Sequence, residues 1–356
     1  MAVRVILTGL GCGLLFAGLF VAGVLEPLDL GIYDRLFELR GPRPPTAPIL
    51  IVTIDESSFA ELGTQWPFPR AMHGELPDRI SRGRPLVIGI DLIFDTPSSR
   101  GPRDDEALGA AVAGAVGHVI SEREPDGHMR RGLTALQVGA QTLVAFGTAV
   151  HRIARGAGLP AAPVPRDPSF LINFRGGPHT FSWVSYYQVL RGEVRPEAFR
   201  GKIVLIGTTS PLLHDAFATP FARSGDMPGV EILANTIATL VQGDRIREVP
   251  GPATAAATVL VGLTIGILVA RVPGAAVPAA LILLAFVTIA TFACFALFGA
   301  WFRPVGPGLA LVVSLVLSIV AGEDCGNEPP ARLRPGRRLR DQIGGQCPIL
   351  DTHDFA

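Results

Sequence analysis

The chain has 356 residues, 48% of them hydrophobic, and its 31 basic side chains balance 31 acidic ones. Residues 26–250 hold 22 Arg and one Lys against 25 acids, a near-neutral balance that gives no electrostatic footprint for nucleic acid. The cysteines Cys12, Cys294, Cys325 and Cys347 all lie outside that stretch, which excludes a disulfide framework or a cysteine zinc site within it.

Residues 5–25 carry no charge over roughly the 20 residues that a bilayer-spanning helix needs. Three further apolar runs, 253–270, 275–298 and 305–321, crowd together later in the chain. Four crossings put both termini on one side. Arg4, Arg271, Arg332, Arg334, Arg337, Arg338 and Arg340 then share the face that the positive-inside rule makes cytoplasmic, and Arg303 lies opposite, beside Trp301 and Phe302, which suit a headgroup-level anchor. The expected layout is a multi-pass inner-membrane protein: a first span within 1–25, an extracytoplasmic domain over 26–250, three spans over 253–321, and a short disordered tail over 322–356. A cleaved signal peptide is the alternative for 1–25, but the apolar stretch is long for one and no Ala-x-Ala site follows.

Within the middle segment, Pro48-Ile49-Leu50-Ile51-Val52-Thr53-Ile54-Asp55 is a continuous apolar run ending in an acid. The stretch 86–95 repeats that form, and Lys202-Ile203-Val204-Leu205-Ile206-Gly207 is a third. Such runs suit strands buried on both faces. Helix-like stretches at 56–62, 104–116, 182–190 and 230–241 alternate with them, so the fold class expected is an extracytoplasmic α/β sandwich. Pro125-Asp126-Gly127-His128 carries a tight-turn signature, and a hairpin there makes the expected sheet mixed, mainly parallel.

Asp55, Asp91 and Asp95 fall at the ends of two of these strands, where open α/β sheets bind ligands, and Asp215 with Thr219 follows the third. Clustered carboxylates can hold a hard cation or a cationic solute; equally, they can cap helices and pair with Arg70 or Arg175. Trp66-Pro67-Phe68-Pro69-Arg70 sets aromatic surface beside a guanidinium, the chemistry of a small-ligand pocket or of a stiff connector over the core. The ligand-binding candidates are therefore Asp55, Trp66, Arg70, Asp91, Asp95 and Asp215. No catalytic residue, cofactor or metal is expected, since no paired histidine spacing, Gly-x-Ser-x-Gly elbow or complete phosphate loop is present.

An ordered series of tracts carries a resemblance. It runs through Tyr33-Asp34-Arg35-Leu36, Ile51 to Ser58, Trp66 to Arg70 with His73, and Ile88-Gly89-Ile90-Asp91-Leu92-Ile93-Phe94. It continues with Asp126-Gly127 and Arg130-Arg131, Ile172-Asn173-Phe174-Arg175-Gly176, Gly201 to Gly207, and Met227-Pro228-Gly229-Val230-Glu231-Ile232. Over most of 28–245 the chain resembles the CHASE domain of the second type, an extracellular sensory module followed by a three-helix membrane block. Leu233 stands where the family pattern leads one to expect His. Membership implies a sensor feeding an intracellular cyclase or kinase. Residues 322–356 are shorter than any such output domain, so the signal is expected to pass to a separate cytoplasmic kinase or cyclase, unless the tail reflects truncation or a frameshift.

The expected function is detection of an unknown small-molecule or envelope ligand by a bilayer-embedded receptor that shifts spans one and two relative to the bundle. A homodimer is expected from the small residues Gly9, Gly13 and Gly18 in span one. The alternatives are a metal-dependent hydrolase or a structural membrane component. A transporter is disfavoured because the spans hold almost no internal charge.

Overall fold

A computed structural model describes residues 2–94, 96–111 and 122–326. The chain opens with α1 (Ala2–Val21) and α2 (Glu26–Arg40), then runs through β1 (Ile49–Ile54), α3 (Glu56–Leu62), α4 (Arg70–Ser81), β2 (Val87–Asp91) and α5 (Pro102–Ala111). Next come β3 (Glu122–Arg123), β4 (Met129–Leu133), β5 (Ala135–Val138), β6 (Gln141–Val144), α6 (Phe146–Gly156), β7 (Ser169–Leu171), β8 (Ser182–Ser185) and α7 (Tyr186–Leu190). β9 (Ile203–Thr208), β10 (Ala216–Thr219), β11 (Ala222–Pro228), α8 (Gly229–Gln242) and β12 (Arg247–Glu248) lead into α9 (Gly251–Arg271), α10 (Pro273–Phe298), β13 (Ala300–Trp301) and α11 (Val305–Gly326).

The main sheet has the order β2-β9-β1-β8 and every pairing in it is parallel. Both faces are covered. Ile49, Ile51, Ile203 and Leu205 pack against Phe146 and Val150 of α6 and Leu233, Ala234 and Ile237 of α8. Their alternates Leu50, Val52, Val204 and Ile206 meet Leu76 and Ile80 of α4 and Tyr186 and Val189 of α7. The two-residue period thus delivers the β-branched runs to opposite cores, as their unbroken hydrophobicity required.

Two expectations differ from this sheet. Antiparallel pairs do occur, but as separate small sheets (β3-β4-β7, β10-β11 and β5-β6). The Asp126-Gly127 turn, with Gly127 at φ 83°, joins β3 to β4, which turns to β7 rather than to the main sheet. The stretch 182–190 is helical only in its second half. Ser182–Ser185 adds an edge strand on β1, and Ser185 and Gln188 then start α7 with reciprocal bonds.

Three helices, α1, α9 and α10, are long and apolar enough to cross a membrane; the apolar part of α11, Val305–Ala321, is shorter. α1 and α9 touch backbone to backbone: a Cβ on Gly9 would stand 2.8 Å from Gly266 Cα, and one on Gly262 would stand 2.8 Å from Gly13 Cα. Gly9 and Gly13 are therefore used within the chain, whereas Gly18 has open space around it. α1 and α9, the helices expected to shift relative to the bundle, pack on one another along one glycine seam.

The domain meets these helices through an aromatic core. Tyr33 and Phe37 of α2 pack edge-on against Phe295 of α10 at centroid distances of 5.7 and 4.9 Å, and Trp301 lies 5.2 Å from Tyr33. Trp301 is 2% exposed, so it fills this joint instead of anchoring at headgroup level. Arg303 reaches Glu26 and Glu248, while β12 pairs with β13 across the same joint.

Candidate functional site

β2 ends on Asp91 and β9 on Thr208, next to one another in the sheet, since Asp91 is in register with Gly207. A cavity of about 590 Å³ opens beyond these carboxyl ends, lined by Asp91, Thr208 and Asp215, by Trp66 and Phe217, and by Gly229, Ile232 and Leu233 at the start of α8. Its size falls in the range of ordinary small-molecule sites, and its place is where parallel α/β sheets put them.

Glycine makes the site possible at one point. A Cβ on Gly229 would lie 2.7 Å from both carboxylate oxygens of Asp215, so only glycine lets that carboxylate sit against the N-terminus of α8. The Gly229 amide donates to the Asp215 carbonyl (2.9 Å), fixing the approach. Burial, together with the nearby Asp215 charge, pushes the Asp91 carboxyl up to about 7, and burial raises Asp215 as well. Among the described residues neither side chain makes a hydrogen bond or ion pair. The buried Thr208 hydroxyl also lacks a partner.

The six predicted residues separate sharply. Trp66, Asp91 and Asp215 share the cavity. Asp55 does not: it caps α3, accepting from Ser58 N (2.8 Å), Ser58 Oγ (2.7 Å) and Ser185 Oγ (2.6 Å). Arg70 pairs with Asp105, donates to the Thr96 carbonyl and lies over the Phe94 ring. Asp95 lies outside the described residues. Thr219 accepts from the Ala222 amide and holds the β10–β11 turn. Sequence reasoning missed Phe217 and Gly229 as site residues and weighed Thr208 only as part of an incomplete phosphate turn, Gly207-Thr208-Thr209-Ser210. It singled out Leu233 only as a departure from a pattern, and that position faces the cavity.

Charges elsewhere belong to the frame. Arg130, 1% exposed, donates to both Asp34 oxygens (2.8 and 2.7 Å) and to Glu124 and Asp126, tying the β3–β4 hairpin to α2. Those bonds hold Asp126 down at about 2. Arg175 grips Asp244 through two bonds of 2.8 Å, and Asn173 donates to the same Asp244 and accepts from Arg40. His73, pushed down to about 4 by burial, meets the Tyr186 hydroxyl at 2.9 Å inside the core. Among the described residues no group of three or more His, Cys, Asp or Glu could hold a metal ion.

A parallel α/β unit with a ligand-sized cavity at its strand ends is thus continuous with long apolar helices before and after it. The family model of the CHASE2 domain matches residues 11–268, and the chain belongs to that family, a family of sensory extracellular domains. The match begins inside α1 and ends inside α9. No curated protein and no solved structure matches the chain.

Proposed function

We propose that the protein is a membrane-bound receptor whose extracytoplasmic CHASE2 domain binds a small solute in the Asp91–Asp215 cavity and passes the binding event to its apolar helices. One observation carries the reading: α8 begins at the cavity wall and ends at the membrane joint. Gly229, Ile232 and Leu233 line the cavity. After Gly243, Asp244 is clamped by Arg175 and Asn173, Ile246 bridges Leu171, and β12 pairs with β13 directly before α9.

A ligand that pulls Asp215 away from the α8 N-terminus changes the seating of that whole rod. The aromatic joint offers the receiving surface, because α10 is held by Phe295 against α2 while most of its length is exposed for contact with lipid or another helix. In a four-span arrangement the cue is bound outside the cytoplasm, and a separate cytoplasmic kinase or cyclase reads the helix displacement. A homodimer, in this reading, uses the outer faces of α10 and α1 around Gly18, since Gly9 and Gly13 are already occupied.

Topology is the first test. In a chain lacking its native cysteines, an impermeant maleimide applied to intact cells should label Glu193→Cys, and should label Arg271→Cys only in inverted vesicles. The opposite pattern would refute an outward-facing sensor.

A further inference from the structure

The cavity also restricts what the solute can be. Two carboxylates without internal partners share it with a threonine hydroxyl that is 7% exposed and equally unpartnered. Buried polar groups are almost always satisfied, so the buried Thr208 hydroxyl, set beside two half-buried carboxylates, marks a wall whose oxygens are open to donors from outside. His214 adds one imidazole to the rim, and the rest of the wall is mainly apolar: Trp66, Met129, Phe217, Ile232 and Leu233.

A hard divalent cation fits poorly, since it takes six to eight oxygen ligands, and among the described residues no metal-binding group is assembled here. An anion is repelled by Asp91 and Asp215. A neutral apolar molecule would leave the carboxylates and the hydroxyl desolvated without partners, which is costly. A primary ammonium has three N–H donors and no acceptor, matching two carboxylates and one hydroxyl oxygen. Its organic part would lie among Trp66 and Phe217, where aromatic faces favour both apolar contact and a neighbouring cation.

We infer that the Asp91–Asp215 cavity is a binding site for a small organic amine with an apolar, ring-sized body. The inference deepens the sensory reading and rests on it only for its biological use. Asp215 supplies the most direct link to movement, since its carboxylate is the group lodged against Gly229 at the head of α8.

The test uses the full chain in phosphatidylcholine nanodiscs, with 2-phenylethylamine as the probe, its neutral counterpart 2-phenylethanol, and calcium chloride. Phenylethylamine is expected to raise the unfolding temperature in a saturable way and to bind at least ten-fold more tightly than phenylethanol. Asp215→Asn and Asp91→Asn should each weaken amine binding ten-fold or more, and Leu233→Phe, which narrows the cavity without altering a carboxylate, should weaken it as well. Equal binding of amine and alcohol, an undiminished amine response in either carboxylate variant, or saturable stabilisation by calcium alone would overturn the inference. Should the amine bind as expected while maleimide labelling along α10 stays unchanged, the site stands and the signalling reading falls.

Discussion

Asp91 stores a measurable conflict. Its carboxyl is held at about 7 in the folded protein against an ordinary 3.8, so between those values the native state keeps a proton that the unfolded chain has released. The contribution of Asp91 to stability therefore falls as pH rises from about 4 to about 7, while His73, held down at about 4, works the other way over part of that range. Asp29 (about 6) and Asp215, also raised, push the same way as Asp91. Asp91→Asn should accordingly unfold at a higher temperature than the parent at pH 8, match it near pH 4, and show a shallower pH slope overall; thermal unfolding of the nanodisc-embedded chain across that range checks the sign. The same pair of aspartates shows what a sequence can and cannot disclose. Asp55 and Asp91 both end an apolar run, but Asp55 precedes Glu56-Ser57-Ser58, whose amide and hydroxyl consume it as a cap, whereas Asp91 precedes Leu92-Ile93 with no local donor. That distinction was readable. Arg70's attachment to Asp105 depends on tertiary folding that no local pattern announces, whereas Asp91 and Asp215, both read at strand ends, line one cavity as strand-end acids of a parallel sheet can.

At the level of elements, two contacts decide how the parts are joined. Arg130 fixes the β3–β4 hairpin to α2 by facing Asp34, Glu124 and Asp126 from a site with almost no solvent. Arg130→Met should destabilise by about 3–5 kcal/mol, because it strands buried carboxylates. Arg35→Ala, at an exposed pair one turn from Glu38, should cost at most about 1 kcal/mol in the same denaturation assay. The second contact is the α1–α9 seam. Gly9→Leu forces two backbones apart and should lower stability by about 1–3 kcal/mol or more, while Gly18→Leu, with open space around it within the chain, should leave the unfolding temperature of the monomer nearly unchanged. Equal effects at both positions in monomeric protein would show that the seam does not form. Small residues along α1 were visible in the sequence, but their partner was not: Gly262 and Gly266 lie far downstream, and glycine spacing does not say whether the matching face belongs to the same chain or to another. The alternating strands and helices were legible for a simpler reason, since continuous β-branched runs have few places to go except a doubly covered sheet.

For the molecule as a whole, the aromatic joint at the base of the domain is the decisive feature. Phe295 is 1% exposed and Trp301 2%, yet both come from the apolar C-terminal block, and they complete a core whose other walls are Tyr33, Phe37, Phe174 and Ile246. Phe295→Ala in the full chain should cost about 3–5 kcal/mol, as for other large aromatic deletions. A fragment of residues 26–250 lacks both rings and leaves the remaining walls bare, so it should be more weakly folded than the Phe295→Ala chain and should bind a dye for exposed apolar surface such as ANS; a fragment as stable as the parent would contradict the joint. Biosynthesis inherits a constraint from this arrangement. The segment that folds in water cannot be finished when it emerges, because its last wall is still unmade on the ribosome. Completion has to wait until α10 and the turn after it have been translated, so the core of the domain closes only once the apolar C-terminal block has been made.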